Sequence, residues 1–363
     1  MSASSTPSSA EPLAEQGAPD ATRGSFIDRL RQGAAGHLPA YGPPVNRRHY
    51  YLSIVGFALL VAALGMKWSG DPYRLGVMVN SLIFAIAAIG LYFAYTLGGL
   101  FAFSQGAFMG IGAYTSARIS ESNGFLAGLG AAIGVTLIVG IVLGFLLRKA
   151  KHLYFAIGAL AFAEVCVLLF RNWSVFTGGK GAGNLFGLDK PTIAGYEFRS
   201  SSQVFWFVLA TTCVVLVIGA WVERSPVRRS GLATKEIPMV AHANGVPVHR
   251  VVIFLFGFGC ALAGLAGSLS AHSIGSITPE AFLVGLSINL YLMILLGGLG
   301  SMWGAVAGAF FVTWLPELLR PIQEYTTVVF SVLLLATIVI MPEGVTGTGG
   351  KAIRGVVKRV RGS

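Results

Sequence analysis

From about Tyr51 to Met341 the chain is a succession of long apolar runs, and charged side chains are almost confined to the segments that join them. The runs do not alternate with polar faces as a soluble core would. A helix needs roughly 20 predominantly apolar residues to cross the hydrocarbon layer, and only helices and closed barrels satisfy their backbone there. These runs are too long and too continuous for barrel strands. The pattern predicts an all-α integral membrane protein with about ten transmembrane helices, at 52–68, 75–97, 100–118, 124–147, 153–170, 204–222, 251–270, 281–297, 303–319 and 326–342.

The flanks differ in kind. Ser, Ala, Pro and Gly dominate Met1 to Pro39 with charges of both signs, so 1–50 is expected to be a disordered cytosolic tail. It lacks the apolar core of a signal peptide, which makes the run Leu52–Trp68 an uncleaved anchor. The transmembrane domain is expected over 51–342, with its longest cytosolic connection at 223–250, and 343–363 forms a basic cytosolic tail. Composition agrees: 54% of residues are hydrophobic, 11% are charged, and the mean hydropathy is +0.72.

Ten spans place both termini in the cytosol. The clusters Arg47-Arg48, Arg148-Lys149-Lys151, Arg224-Arg228-Arg229-Lys235 and Lys351-Arg354-Lys358-Arg359-Arg361 then share that side, as the positive-inside rule requires. The net charge of +11 is thereby explained by topology in a plasma (inner) membrane and by contact with anionic lipid, without recourse to nucleic acid. Cys166, Cys213 and Cys260 lie far apart inside apolar runs and read as small buried hydrophobes. The six histidines do not gather, so no metal site is expected, and the spans hold no catalytic constellation.

Glycine is the next informative residue, with 48 in the chain. Small residues three or four apart let helix backbones approach closely in lipid. The pairs Gly98-Gly99 and Gly297-Gly298 predict interrupted helices, tolerated where protein or water satisfies the freed groups. Each pair lies in an L-G-G-L (Leu97–Leu100, Leu296–Leu299) followed by G-A-x-x-G (Gly106–Gly110, Gly304–Gly308), which raises an internal duplication.

Ionisable groups at membrane depth are costly and mark a function or a pairing. Glu164 is the deepest, and reads either as a pathway residue or as a protonated or hydrogen-bonded structural carboxylate. Lys67 and Arg118 sit near span ends and snorkel, while Glu317 and Arg320 form an interfacial pair. One deep carboxylate is too few for a proton-coupled carrier. In the cytosolic connection, a short surface helix from Glu236 through Ala241, His242 and Ala243, closed by Gly245, suits docking in a cleft of a soluble partner.

Four stretches carry a resemblance: Ala88–Thr115 (A-I-G-L-Y-F-A-Y-T-L-G-G-L-F-A-F-S-Q-G-A-F-M-G-I-G-A-Y-T), Leu153–Glu164 (L-Y-F-A-I-G-A-L-A-F-A-E) with the T-G-G at Thr177–Gly179, the Glu236–Gly245 loop, and Leu296–Ala309 (L-G-G-L-G-S-M-W-G-A-V-A-G-A) with L-P-E-L-L at Leu315–Leu319. Over about Leu82 to Gly347 the chain resembles the LivM-type membrane subunits of branched-chain amino acid ABC importers, a group that also serves urea and short amides. The chain departs from the family pattern at Ser104-Gln105, where Gly-His is common, and at His152, Ala159 and the K-G-A-G-N after T-G-G.

The resemblance implies a type II ABC importer-like permease bundle. It also implies a second homologous permease subunit, two ATPase subunits and an extracytoplasmic binding protein. G-G-K-G at Gly178–Gly181 lacks the spacing of a phosphate-binding loop, so ATP is expected to be used by a separate subunit and this chain to bind no cofactor. The expected route runs past Ser104, Gln105 and Phe108, with Tyr154 and Glu164, to Thr177, Gly178 and Gly179 at the external mouth. The ATPase would couple at Glu236, Ala241, His242, Ala243 and Gly245. Branched-chain or other small amino acids are the expected solutes; alternatives are urea or short amides on the same scaffold, or a facilitative channel or carrier without an ATPase.

Overall fold

The structure is a computed structural model, and it describes residues 47–320 apart from 149, 151, 174–182, 189–191, 194–195, 199 and 237. The expected tails, the tenth span at 326–342 and Thr177–Gly179 lie outside the described residues. The helices in order are α1 (Arg47–Lys67), α2 (Pro72–Leu91), α3 (Gln105–Asn123), α4 (Phe125–Leu146), α5 (His152–Asn172), α6 (Ser201–Arg224), α7 (Pro226–Glu236), α8 (Pro238–Ala243), α9 (Val248–Ile274), α10 (Val284–Gly297) and α11 (Met302–Leu318). Four two-residue strands form two antiparallel pairs. β1 (Leu185–Phe186) binds β4 (Ser276–Ile277), joining the segments that follow α5 and α9, and β2 (Thr192–Ile193) pairs with β3 (Tyr196–Glu197).

Side-chain contacts at the two ends of the bundle fix the direction of each helix. Tyr50 at the start of α1 lies 6.1 Å from Trp303 at the start of α11, ring to ring, and Trp68 after α1 stacks on Trp314 at 5.1 Å. Tyr73 at the start of α2 donates to Glu317 near the end of α11 at 2.6 Å, so α2 runs opposite to α1 and α11. The hydroxyls of Tyr50 and Tyr92 both donate to Glu223, at 3.0 and 2.6 Å, which puts the end of α6 at the Tyr50 end of the bundle. The rings of Phe125 and His272 meet at 4.9 Å at the Trp68 end, where α4 begins and α9 finishes. The chain therefore passes back and forth through the bundle, α7 and α8 excepted.

Among the described residues, six helices are long and apolar enough to cross a membrane, or up to seven if α10 and α11 count as one bent span. They match the expected runs at 52–68, 75–97, 124–147, 153–170, 204–222 and 251–270 to within about five residues. Three expected spans differ. The run at 100–118 becomes helical only at Gln105 and continues to Asn123, because 98–104 is irregular. The runs at 281–297 and 303–319 form helices of 14 and 17 residues bent by 117° at Gly298–Ser301, each too short to qualify alone. Hydropathy reports which residues belong in an apolar medium; it carries no information on where the axis turns.

Two helices make the centre. In the apolar stretches of α2 and α9, 83% and 72% of the residues are buried, against 22% in α1 and 28% in α4. Glycine allows this packing: a Cβ on Gly112 of α3 would fall on the backbone of Gly264 in α9, and one on Gly264 would strike Thr136 of α4. The outward faces, such as Leu59 of α1 and Ile138 of α4, are exposed apolar surface suited to lipid.

Gly264→Leu is expected to lower stability by about 1–3 kcal/mol through overpacking, read as a lower unfolding midpoint in detergent. Gly130→Leu, at a position with nothing within 4 Å, is expected to leave the midpoint unchanged.

Candidate translocation route and coupling surface

The main irregularity lies at the end of α2. Its ladder widens into a π turn over Tyr92–Leu97, with Gly98 N–H donating to the Phe93 carbonyl at 3.1 Å and Leu100 N–H to that of Ala94 at 3.1 Å. Gly99 then takes φ 70°, a left-handed value that costs a residue with a Cβ, and the chain runs without regular structure to Ser104. The second break is built alike. Gly298, again the second glycine of an L-G-G-L, has φ 105°, and Ser301 caps α11 by accepting from Gly304 N–H at 3.3 Å. The sequence likeness between Leu97–Gly110 and Leu296–Gly308 is thus matched by a positive-φ glycine at the same place in each, although a π turn precedes only the first.

The first break is stitched into the bundle by polar bonds. Gln105 Nε2 donates to the Gly259 carbonyl of α9 at 3.0 Å, and Gly106 N–H donates to Ser287 Oγ of α10 at 2.9 Å. Phe108 is fully buried, with its ring 5.4 Å from Phe162 and 6.0 Å from Phe256. Beside these satisfied groups stand three buried oxygens with no hydrogen-bond partner among the described residues, Thr96 Oγ1, Ser104 Oγ and Gln105 Oε1. Buried polar atoms are rarely left so. They flank the break on both sides, and they offer acceptors and hydroxyls with no fixed charge.

Below the break, toward the Tyr50 end, aromatic rings cluster. Tyr95 lies 4.8 Å from Phe101 and 5.4 Å from Tyr291, and Tyr291 lies 5.0 Å from Phe103. The surface helix α7 rests on the same segment. A Cβ at Gly231 would come within 2.9 Å of the Leu97 carbonyl, and Lys235 Nζ donates to the Thr96 carbonyl at 3.3 Å while sitting 5.5 Å from the Tyr95 ring centre. Half-burial pushes the Lys235 ammonium below the usual lysine range, with Glu236 opposing. A cavity of about 260 Å³ opens here, lined by Gly98, Leu100, Arg148, Lys235, Pro238 and His249 among others.

Residues 73–342 match the family described as branched-chain amino acid transport system, permease component. The chain belongs to this family. The permease is 28% identical over 338 residues to the LivM permease protein of the high-affinity branched-chain amino acid transport system of Escherichia coli, covering 85% of this chain and 77% of that one. It is 26% identical over 298 residues to the LivH permease protein of the same organism, covering 75% and 93%. With the LsrC permease protein of the autoinducer 2 import system of Salmonella paratyphi B it shares 30% over 193 residues, 51% of this chain and 54% of that one. No solved structure shows a significant match.

In the permease, Ser104, Gln105 and Phe108 are brought together at the break and are fully buried. Tyr154 and Glu164 stand apart from them, on the exposed face of α5. Of the expected coupling residues, Ala241 is buried, while Glu236, His242, Ala243 and Gly245 are exposed, as is Met239 at 85%. Gly245 has φ 76°, which lets the chain turn from α8 toward α9.

Sequence reasoning missed Thr96, Ser287, Tyr291 and Gly231 and had Lys235 only as one charge of a basic cluster, since their places beside the break rest on contacts across the fold. A signal for the first was available, since Thr96 immediately precedes the L-G-G-L.

Replacing Gln105 by Leu removes the donor to Gly259 and the orphaned acceptor together. A single lost hydrogen bond of about 1.4 kcal/mol is a tenfold effect, so solute uptake by membranes carrying Gln105→Leu is expected to fall by about that factor or more, with the permease present at its normal level.

Proposed function

We infer that this permease forms half of the membrane channel of an ATP-driven importer for branched-chain or other small amino acids. It would work with a second, homologous permease subunit, two ATPase subunits and a soluble extracytoplasmic binding protein. The observation that carries the coupling half of this reading is the clamp between α7 and the break: a helix on the surface holds, through Gly231 and Lys235, the segment that leads directly into Ser104 and Gln105.

The mechanism follows from that linkage. The Tyr50 end carries Arg148, Arg224, Arg228, Arg229 and Lys235, and on the positive-inside rule it faces the cytosol, with both termini. An ATPase docked on α8 and its exposed Met239, His242 and Ala243 would move α8 and α7 as a unit. Because Lys235 holds the Thr96 carbonyl, that motion would reach the π turn, a form that recurs at functional sites, and through it the aromatic cluster of Tyr95, Phe101 and Tyr291. Opening that cluster would let the orphaned oxygens of Thr96, Ser104 and Gln105 meet water or the ammonium and carboxylate of a zwitterion. Uncharged acceptors bind such a solute without holding it, which a conduit needs. The names of LivM and LivH fit amino acids, and LsrC is named for an autoinducer 2 import system, which supports assigning selectivity in large part to the binding protein.

Gly231→Leu is expected to lift α7 off Leu97 and to abolish solute-driven stimulation of ATP hydrolysis, and uptake with it, in proteoliposomes holding the complete importer. Normal stimulation and uptake by that variant would overturn the coupling route, and accumulation of solute against its gradient by this chain alone would overturn the dependence on an ATPase.

A further inference from the structure

Apart from Glu236 at the exposed end of the surface helix α7, the described carboxylate side chains are partnered with one exception. Asp71 is paired with Arg74 at 3.1 Å, Glu121 with Arg118 at 3.0 Å, Glu280 with Arg171 at 3.3 Å and Glu317 with Arg320 at 3.4 Å. Glu223 takes two tyrosine hydroxyls. Glu164 has no ion pair or hydrogen bond among the described residues, although it is the carboxylate set furthest from either end of its membrane helix. It lies 12 residues from the start of α5 and 8 from its end, which at 1.5 Å per residue is about 18 and about 12 Å. A glutamate is too short to snorkel from there.

Its outward position is fixed. Phe155 and Phe170, 15 residues apart on the opposite side of α5, are buried at 2% and 3% exposure. Phe155 packs on Phe256 of α9 at 5.3 Å, and Phe170 packs on Tyr114 of α3 at 4.8 Å. The Arg171–Glu280 pair holds the far end of the helix. With both ends anchored, α5 cannot roll Glu164 into the bundle. The carboxylate therefore stands on an exposed stripe with Ile157, Leu160 and Leu168, one and two turns away along the same face. The other bare faces differ: α1 from Leu52 to Met66 and the whole of α4 contain no charged residue, and lipid alone suits them.

We propose that the Glu164 face of α5 is the surface on which this permease meets the second permease subunit, and that a hydroxyl, amide or cationic side chain of that subunit receives the Glu164 carboxylate within the membrane. The proposal rests on the two-permease reading above. A hydrocarbon environment gives an ionised carboxylate no partner, whereas a facing helix supplies one, and the names LivM and LivH belong to two distinct permease proteins of one organism, both similar to this chain. The placement also gives α5 a second function. One side packs Phe162 against Phe108 beside the break while the other contacts the partner, so the helix joins the candidate route to the neighbouring subunit.

The test is a photo-crosslinker, p-benzoylphenylalanine, placed singly at Leu160, Leu168, Leu59 or Ile138 in membranes that hold the complete importer. Covalent adducts with the second permease subunit are expected from Leu160 and Leu168 and from neither Leu59 nor Ile138. Adducts of the two α5 positions with lipid alone, or equal yields of protein adduct from the control positions, would overturn the assignment of this face. Glu164→Leu is expected to reduce the second permease recovered with the purified complex several-fold while Glu164→Gln, which keeps a hydrogen-bonding head, retains most of it; wild-type recovery with Glu164→Leu would overturn the role of the carboxylate. Recovery of no second membrane subunit with the wild-type chain would instead sink the two-permease reading itself.

Discussion

Backbone contact between α3 and α9, made possible where Gly112 faces Gly264, is the constraint on which the rest of the bundle depends. In lipid the hydrophobic effect gives helices little reason to associate, so close packing and interhelical hydrogen bonds must hold them. Gly112 and Gly264 bring the two axes near enough for Gln105, seven residues earlier on α3, to reach the Gly259 carbonyl on α9. That bond sets the depth at which α3 begins, and hence how far the chain must climb without helical structure after Leu97. A side chain at the crossing would separate the helices and leave the break without its anchor.

Seen from the break, the permease is a pair of similar reversals within one scaffold. Gly99 and Gly298 turn the chain after α2 and α10, and the helices that follow, α3 and α11, both open on a G-A-x-x-G that lets them lie against their neighbours. Only the first reversal carries the orphaned oxygens and the α7 clamp. One reversal thus has the features of a moving part. The second shares its positive-φ glycine, and Met302 and Trp303 just beyond it pack around Gly219 and Tyr50. This division gives the surface helix α7 a defined object to act on: a short π-helical segment in which few bonds must change for Tyr95 and Phe101 to separate.

Charge is handled by a consistent local rule. Near the Trp68 end each of Arg74, Arg118, Arg171 and Arg320 meets a carboxylate, and near the Tyr50 end two tyrosines solvate Glu223. Exposed pairs of this kind contribute little stability individually. Their effect is to fix helix ends at the membrane surface, as Arg171 does for α5 and Glu317 does for α11. Against that rule the bare carboxylate of Glu164 is informative, because the same chain shows repeatedly how it satisfies such a group when the partner lies within its own fold.

The sequence by itself determined the class of the protein. Continuous apolar runs, basic connections and the G-A-x-x-G segments led to a helical membrane permease, and Ser104, Gln105 and Phe108 were singled out because an unusual dipeptide stood beside a glycine pair. Those are local signals, and local chemistry is legible in one dimension. Tertiary structure decided what periodicity could not report. It began α3 at Gln105, folded 281–319 into a bent pair, turned Glu164 away from the break, and brought Thr96 of the π turn, Ser287 and Tyr291 of α10 and Lys235 of α7 together around it. Whether an apolar helix turns a given side chain toward its own bundle or away from it depends on which neighbour its glycines and aromatics fit, and that complementarity exists only once the helices are assembled.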